Sequence, residues 1–531
     1  MEYPDIHSVV IIGAGPCGLA VAARLREETP SALFTDEEHQ RYHWIRRHTG
    51  RMNIRNRNKA SYSVRTDSGA ARSKGTGTGT LVLDSTGTSW MQRWKTAFAT
   101  LEIAQLRSPM FFHIDPADRD GMLAYTRETG REEDLWEIRG CVGRELSKHR
   151  RKKRDHRSGD IDERDRKDYY SPSTSLFDAY CSSIVRRYSL DSPGQILHAE
   201  VSDITYSLHP ELDEEKELFC ITGSTGETFY ARSVVLAVGA GTGGAKIFPF
   251  PLSEQERKAA CHSLEITSFP PAGLRGKISR REETTILVVG GGLSSAQIVD
   301  MAIKKGVSRV HLLIRGDLKV KHFDIGLTWM GKFKNFEKAA FWSADSDEER
   351  LEMFHTARDG GSINPRYVKI LKQYVASGKL VIHTHTAIAD HRFCPVTNTW
   401  EITTNPPTTP ALPPAIDYIY FATGVRSDIT ALPFLQSMLE SYPIPTCGGF
   451  PCLTDDLMWR EDVPLFVTGR FAALRLGPGG PNLEGARLGA ERIAWKMQDI
   501  RGDTSDQEAD DSFRGYSDCF CGLGNRYAGL A

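Results

Sequence analysis

The chain has 531 residues, 40% hydrophobic and 25% charged, with a formal net charge of −1. That length implies two to four domains at roughly 100–200 residues each. The balanced charge gives no global field toward nucleic acid or a membrane surface, and ten cysteines in so long a chain do not make a disulfide framework.

The most apolar stretch, Val9 to Leu25, is broken by Gly13, Gly15, Pro16 and Gly18 and is too short to span a bilayer. The start, Met1-Glu2-Tyr3-Pro4-Asp5, lacks the basic opening of a secretory signal. A cytoplasmic protein with reduced thiols, including Cys519 and Cys521 of the tail, is therefore expected. His7–Ile12 reads as a strand, Leu19–Glu28 as a helix and Ala32–Thr35 as a second strand ending at Asp36, a β-α-β opening. Asp67–Thr80, rich in Gly, Ser and Thr, is expected as an exposed loop. Lys148–Asp168 holds ten Lys or Arg and six Asp or Glu and cannot bury a core. Further short apolar strands follow at Ser233–Val238, Thr284–Val289, Val310–Ile314, Tyr418–Ala422 and Leu465–Thr468, each running into a glycine or, after Val310–Ile314, into Arg315. Short apolar strands separated by helices imply parallel sheets covered on both faces. The fold class is α/β, with two Rossmann-like dinucleotide-binding domains.

Gly13-Ala14-Gly15-Pro16-Cys17-Gly18 follows directly on the first strand. In such a fingerprint the first glycine makes the tight turn, the second clears the approach of a pyrophosphate, and the third lets helix and strand pack. The helix N-terminus supplies free N–H groups and a positive partial charge. Asp36, with Glu37 or Glu38 as alternatives, stands near the usual distance for an acid that takes ribose hydroxyls. This unit is read as an FAD site, with Gly13, Gly15, Gly18 and Asp36 on the cofactor.

Gly290-Gly291-Gly292-Leu293-Ser294-Ser295 repeats the pattern, with Ser295 in the third glycine's place. The following strand ends in Arg315. An acid there suits a free 2′-hydroxyl and an arginine suits a 2′-phosphate. Gly290, Gly292, Ser295 and Arg315 are thus expected on NADPH, with Lys319 and Lys321 adding charge. An ordinary surface arginine at a strand end is the alternative for Arg315.

With these two units the sequence resembles the two-dinucleotide flavoproteins, and within them the flavin-dependent monooxygenases. It is similar to the flavin-containing and N-hydroxylating ornithine and lysine monooxygenases, and to the oxidative-stress-induced growth inhibitors. The resemblance rests on the two fingerprints, on Ala422-Thr423-Gly424 and on Gly477-Pro478-Gly479-Gly480-Pro481-Asn482. It implies an NADPH domain (284–412) inserted between two parts of an FAD domain (1–270, carrying the charged insertion 148–168, and 413–531). Thr423 and Gly424 would mark the return crossing, and Gly469 and Asn482 would lie at the flavin. Arg470 stands where the family often has an aspartate that holds the ribityl chain, and His262-Ser263 falls near the place of a family His-Ser pair, though a surface histidine is the plainer reading. The implied activity uses FAD, NADPH and dioxygen to place one oxygen on a nitrogen or sulfur of a small metabolite, amino-acid-derived or peptidic. No nucleic-acid or membrane partner is expected. A flavoprotein reductase and a non-catalytic regulator keeping the fold are the rivals. Two stretches are candidates for the substrate pocket: Trp90, Trp94 and Arg107-Ser108-Pro109, and Lys321 to Arg366 with Trp329, Met330 and Asn364.

Overall fold

The computed structural model describes residues 4–28, 30–34, 79–141, 169–239, 246–331 and 334–502. Asp36, Glu37, Glu38, the charged block 148–168, nearly all of the 67–80 loop and the tail cysteines lie outside the described residues.

The first fingerprint strand, Val9–Ile12, is buried at all four positions and lies inside a six-stranded sheet. The sheet order is Met458–Arg460, Val463–Val467, Val234–Leu236, Val9–Ile12, Thr80–Asp84, Ile196–His198. Its neighbours pair in parallel except the first two. Apolar runs without alternation suit strands covered on both faces. The helix Pro16–Arg24 packs against the C-terminal helix Leu483–Gly502. Between them Arg24 makes a buried two-pronged ion pair with Glu491, at 2.6 and 2.9 Å.

A second sheet has five parallel strands in the order Ala260–His262, Tyr418–Phe421, Thr285–Val289, Arg309–Leu313, Leu380–His383. It therefore reaches beyond 284–412 at both ends. Ala260–His262 is too short and too mixed to stand out as an apolar run, and Tyr418–Phe421 pairs inside this sheet before the chain returns. A third sheet was not anticipated. It joins Ile6–His7, Thr228–Ala231, Asp213–Gly223 and Val201–His209 and is antiparallel except at its first pair. Its strands mix polar and exposed positions, so apolar runs do not betray them.

The strand expected at Ala32–Thr35 does not form: Ala32 and Leu33 lie in a turn. The place beside Val9–Ile12 belongs to Thr80–Asp84, in register Val9 with Thr80 and Ile12 with Leu83. Thr80, expected as the end of an exposed loop, starts that strand.

Removing one member of a buried ion pair strands its partner's charge. Glu491→Ala is expected to cost about 3–5 kcal/mol, read as a lowered denaturant midpoint. The double variant Arg24→Met/Glu491→Met is expected to be much closer to wild type, and equal losses in both would contradict the assignment.

Candidate functional site

Both glycine loops sit at the carboxyl ends of their sheets and share one geometry. Gly13 has φ +112°, and a Cβ there would meet the carbonyl oxygen of Ala237 at 2.7 Å. Gly290 has φ +145°, and its Cβ would meet the carbonyl oxygen of Ala422 at 2.2 Å. Neither position admits a side chain. At Gly18 a Cβ would lie 2.0 Å from the Gly13 carbonyl oxygen, so the helix rests on the loop. Gly15 differs: nothing lies within 4 Å of its Cβ position, which leaves an open face beside the helix start. The helix Pro16–Arg24 has no side-chain cap and no acid in its first turn. Its first N–H groups are free to meet an anion.

Asp84 closes this unit. Its Oδ2 accepts the N–H of Ala14 at 2.7 Å, inside the glycine loop, and its Oδ1 accepts the N–H of Thr86 at 2.8 Å and the Thr86 hydroxyl. It is the acid at the end of the strand next to the fingerprint strand, the place a ribose-binding carboxylate takes. Asp36, the acid that a spacing of about 20 residues selects, lies outside the described residues; Thr80-Leu81-Val82-Leu83-Asp84, an apolar run ending in an acid, adds Asp84 as a second candidate. Gly469 has φ +73° and lies against Cys17, 3.0 Å from its Sγ to a Cβ position. Asn482 lies at the turn before the C-terminal helix, its N–H on the Gly479 carbonyl at 2.9 Å and its carbonyl accepting from Ala486.

In the second unit Ser295 is fully buried and its hydroxyl donates to the Gly292 carbonyl at 2.6 Å, closing the first turn. The helix Leu293–Lys304 again has no side-chain cap and no acid at its start. Arg315 is exposed and makes no hydrogen bond or ion pair with the described residues. Lys319 and Lys321 are instead engaged. Lys319 binds Asp359, and Lys321 donates to the Arg358 carbonyl at 2.7 Å. The loop they hold puts Gly361 against Gly292, where a Cβ on Gly361 would stand 3.1 Å from the Gly292 Cα.

The crossing segments are tied together. The Thr423 hydroxyl donates to the Ile247 carbonyl, the N–H of Ile247 donates to Gly424, and His262 Nε2 donates to the Gly424 carbonyl at 3.0 Å. His262 is not a surface residue. It is fully buried, its Nδ1 accepts from Leu264, and burial lowers its pKa.

The first expected pocket stretch is structural. Trp90 is buried with its indole N–H on the Leu190 carbonyl at 2.8 Å, and Trp94 stacks on Phe98 with centroids 4.0 Å apart. Arg107 crosses between the sheets, binding Asp324 at 2.6 Å, the Ser362 hydroxyl at 2.8 Å and carbonyls of Lys321, His322 and Phe323. In the second stretch Asn364 caps the helix Pro365–Ala376 and Met330 is core. Trp329, however, lines a small cavity with Phe341, Trp342, Pro478, Lys338 and Glu484, of about 10 Å³, room for roughly one water. It lies where the insertion meets the Gly477–Gly480 turn, and Glu484 pairs there with Lys338.

Residues 171–387 match the sequence model of the L-lysine 6-monooxygenase/L-ornithine 5-monooxygenase family. No curated protein matches the chain. Among solved structures, the ornithine N-hydroxylase of Kutzneria sp. 744 superposes with a TM-score of 0.59 at 14% identity, over 94% of this chain and all (100%) of that one. The cadaverine monooxygenase of the desferrioxamine pathway from Erwinia amylovora gives 0.57 at 14% identity, over 93% and 95% of the two chains. The ornithine hydroxylase of Pseudomonas aeruginosa gives 0.57 at 14%, over 93% and 99%. The chain has the fold of the N-hydroxylating flavin monooxygenases. Among the described residues no helix is long and apolar enough to cross a membrane, and no cluster of potential metal ligands occurs.

Behind the site, His113 is fully buried; its Nδ1 accepts from the Asp115 N–H, so Nε2 donates to the Arg119 carbonyl at 2.7 Å. Burial, then the nearby Arg487 guanidinium, lowers its pKa to about 3. Unfolded, it titrates near 6.5. The folded state thus binds fewer protons between these values, so stability is full above pH 6.5 and declines toward pH 3. His113→Asn is expected to flatten that acid decline, read from unfolding at stepped pH; parallel curves for the two proteins would refute the role.

Proposed function

We propose that the chain is an FAD- and NADPH-dependent monooxygenase that places one oxygen atom on the nitrogen of an amino-acid-derived amine. The observation that carries the reading is the pair of glycine loops with uncapped helices, one open at Gly15 and one with Arg315, unpaired among the described residues, just past the end of the neighbouring strand. Pairing these loops with the family match over 171–387 favours nitrogen over sulfur. The relatives named above act, by their names, on ornithine, lysine or cadaverine.

The residues present fit both nucleotides. On this reading Gly13, Gly15 and Gly18 receive the FAD diphosphate at the helix start, and Asp84 accepts the adenosine ribose hydroxyls. Gly469 and Asn482 line the flavin end, and Thr423 and Gly424 fix the crossing. Gly290, Gly292 and Ser295 shape the NADPH turn, and Arg315 takes the 2′-phosphate. When bound, the two nucleotides would pass an electron pair to dioxygen, one oxygen atom going to the substrate nitrogen and the other leaving as water. Glu484, a carboxylate walled by Trp329, Phe341 and Trp342, suits a primary ammonium, and Lys338 holds that place here. A dithiol reductase is disfavoured: burial pushes the Cys17 thiol up to about 12, far from a reactive thiolate.

The purified protein is expected to be yellow and to oxidise NADPH faster with ornithine, lysine or diamines present, giving products heavier by one oxygen atom. No nitrogen-oxygenated product from such a panel would overturn the activity. Arg315→Ala is expected to lower kcat/KM for NADPH about tenfold to a hundredfold and leave NADH nearly unchanged; equal effects on both would sink the 2′-phosphate assignment. Glu484→Gln is expected to raise KM for the amine about tenfold or more with kcat less affected, and an unchanged KM would remove Glu484 from the pocket.

A further inference from the structure

The 3₁₀ turn after the last sheet strand carries Arg470, next to Gly469. Among the described residues its guanidinium makes no hydrogen bond, ion pair or ring contact, and its Nε is shut off from solvent without a partner. An arginine does not escape such a position by losing its proton. A half-buried cation whose Nε is closed off and unpaired is costly. The charge that bears on it is another cation, Arg358, which is itself spoken for: it donates to the Pro478 carbonyl at 3.0 Å, faces Asp324 at 3.8 Å and lies over Phe354. Two guanidinium groups near one another, one of them without a partner among the described residues, make a site suited to an anion.

The position says which anion. Gly469 sits on Cys17, in the first turn of the fingerprint helix, whose uncapped start is built for a diphosphate. Gly480 lies against the Gly469 carbonyl oxygen, 3.4 Å from its Cβ position, and so ties the turn to the Gly477–Gly480 loop. We propose that Arg470 is a diphosphate-binding residue of the FAD site, with Arg358 adding to the field. Where the resembling flavoproteins often set an aspartate on the ribityl chain, this chain reverses the charge and reads the phosphates. The planar fork of arginine meets two phosphate oxygens at once. The other diphosphate within reach of this cation pair is that of NADPH, because Arg358 opens the loop that brings Gly361 onto Gly292.

The inference rests on the FAD reading above and is tested apart from activity. Apoprotein of wild type, Arg470→Met and Arg470→Lys is titrated with FAD and with riboflavin, following the flavin fluorescence. In Arg470→Met the Kd for FAD is expected to rise about tenfold to a hundredfold, while the Kd for riboflavin, which has no phosphate, stays at the wild-type value. Arg470→Lys restores part of the loss. Apoprotein of Arg470→Met is expected to melt no lower than wild-type apoprotein, since an unpaired charge has been removed, and to gain less on adding FAD. An FAD affinity within about twofold of wild type, an equal loss for riboflavin, or a loss confined to NADP⁺ titrated onto the FAD-loaded protein would overturn the proposal. Failure of the wild-type chain to bind FAD would overturn both it and the function on which it rests.

Discussion

Both halves of the molecule depend on one backbone contact. In each sheet the glycine that ends the fingerprint strand lies against the carbonyl that ends the neighbouring crossing strand: Gly13 on Ala237, and Gly290 on Ala422. There is no space for a Cβ at either point, and both glycines hold positive φ, which other residues adopt only with strain. This contact sets how far the loop stands from the sheet. It thereby aims the following helix, and the helix start is what can hold a diphosphate. The small residue after each crossing strand, alanine in both cases, is the other side of the same constraint.

The two units are held in one arrangement by apolar packing, where Phe111, Phe112 and Tyr169 meet Phe323, Ile325 and Trp329, and by polar groups. Arg107 alone satisfies a run of carbonyls from Lys321 to Phe323 together with Asp324 and Ser362. The crossing is locked by Thr423, Gly424 and the buried His262. Such bonds are directional, so they fix an angle between sheets where a purely apolar face would tolerate sliding. The cavity at Glu484 lies on this seam, where Trp329 and Phe341 meet the Gly477–Gly479 turn.

Buried cations are the other recurring feature. Arg24 is fully answered by Glu491. Arg487 has its Nε unpartnered and rests beside the N–H edge of His113, and the Arg470 guanidinium has no partner among the described residues.

The sequence by itself determined the doubly wound α/β class, both glycine turns and most of the strands around them, because an apolar run followed by a glycine is a local signal: the same few residues make the strand and the turn. It also marked Arg315, which is exposed at its strand end and without a partner among the described residues. What only the tertiary structure decided is non-local. The partner strand of Val9–Ile12 is Thr80–Asp84, brought from far along the chain, and that pairing puts Asp84 beside the loop. Ala260–His262 became a strand only because Tyr418–Phe421 offers it an edge. Trp90, Trp94 and Arg107, which look alike as pocket candidates in a string, separate into core and brace once their partners are known. Residue type and local period write the elements; which hydrogen-bond edge, carboxylate or empty space each one meets is settled by chain segments that sequence distance does not connect.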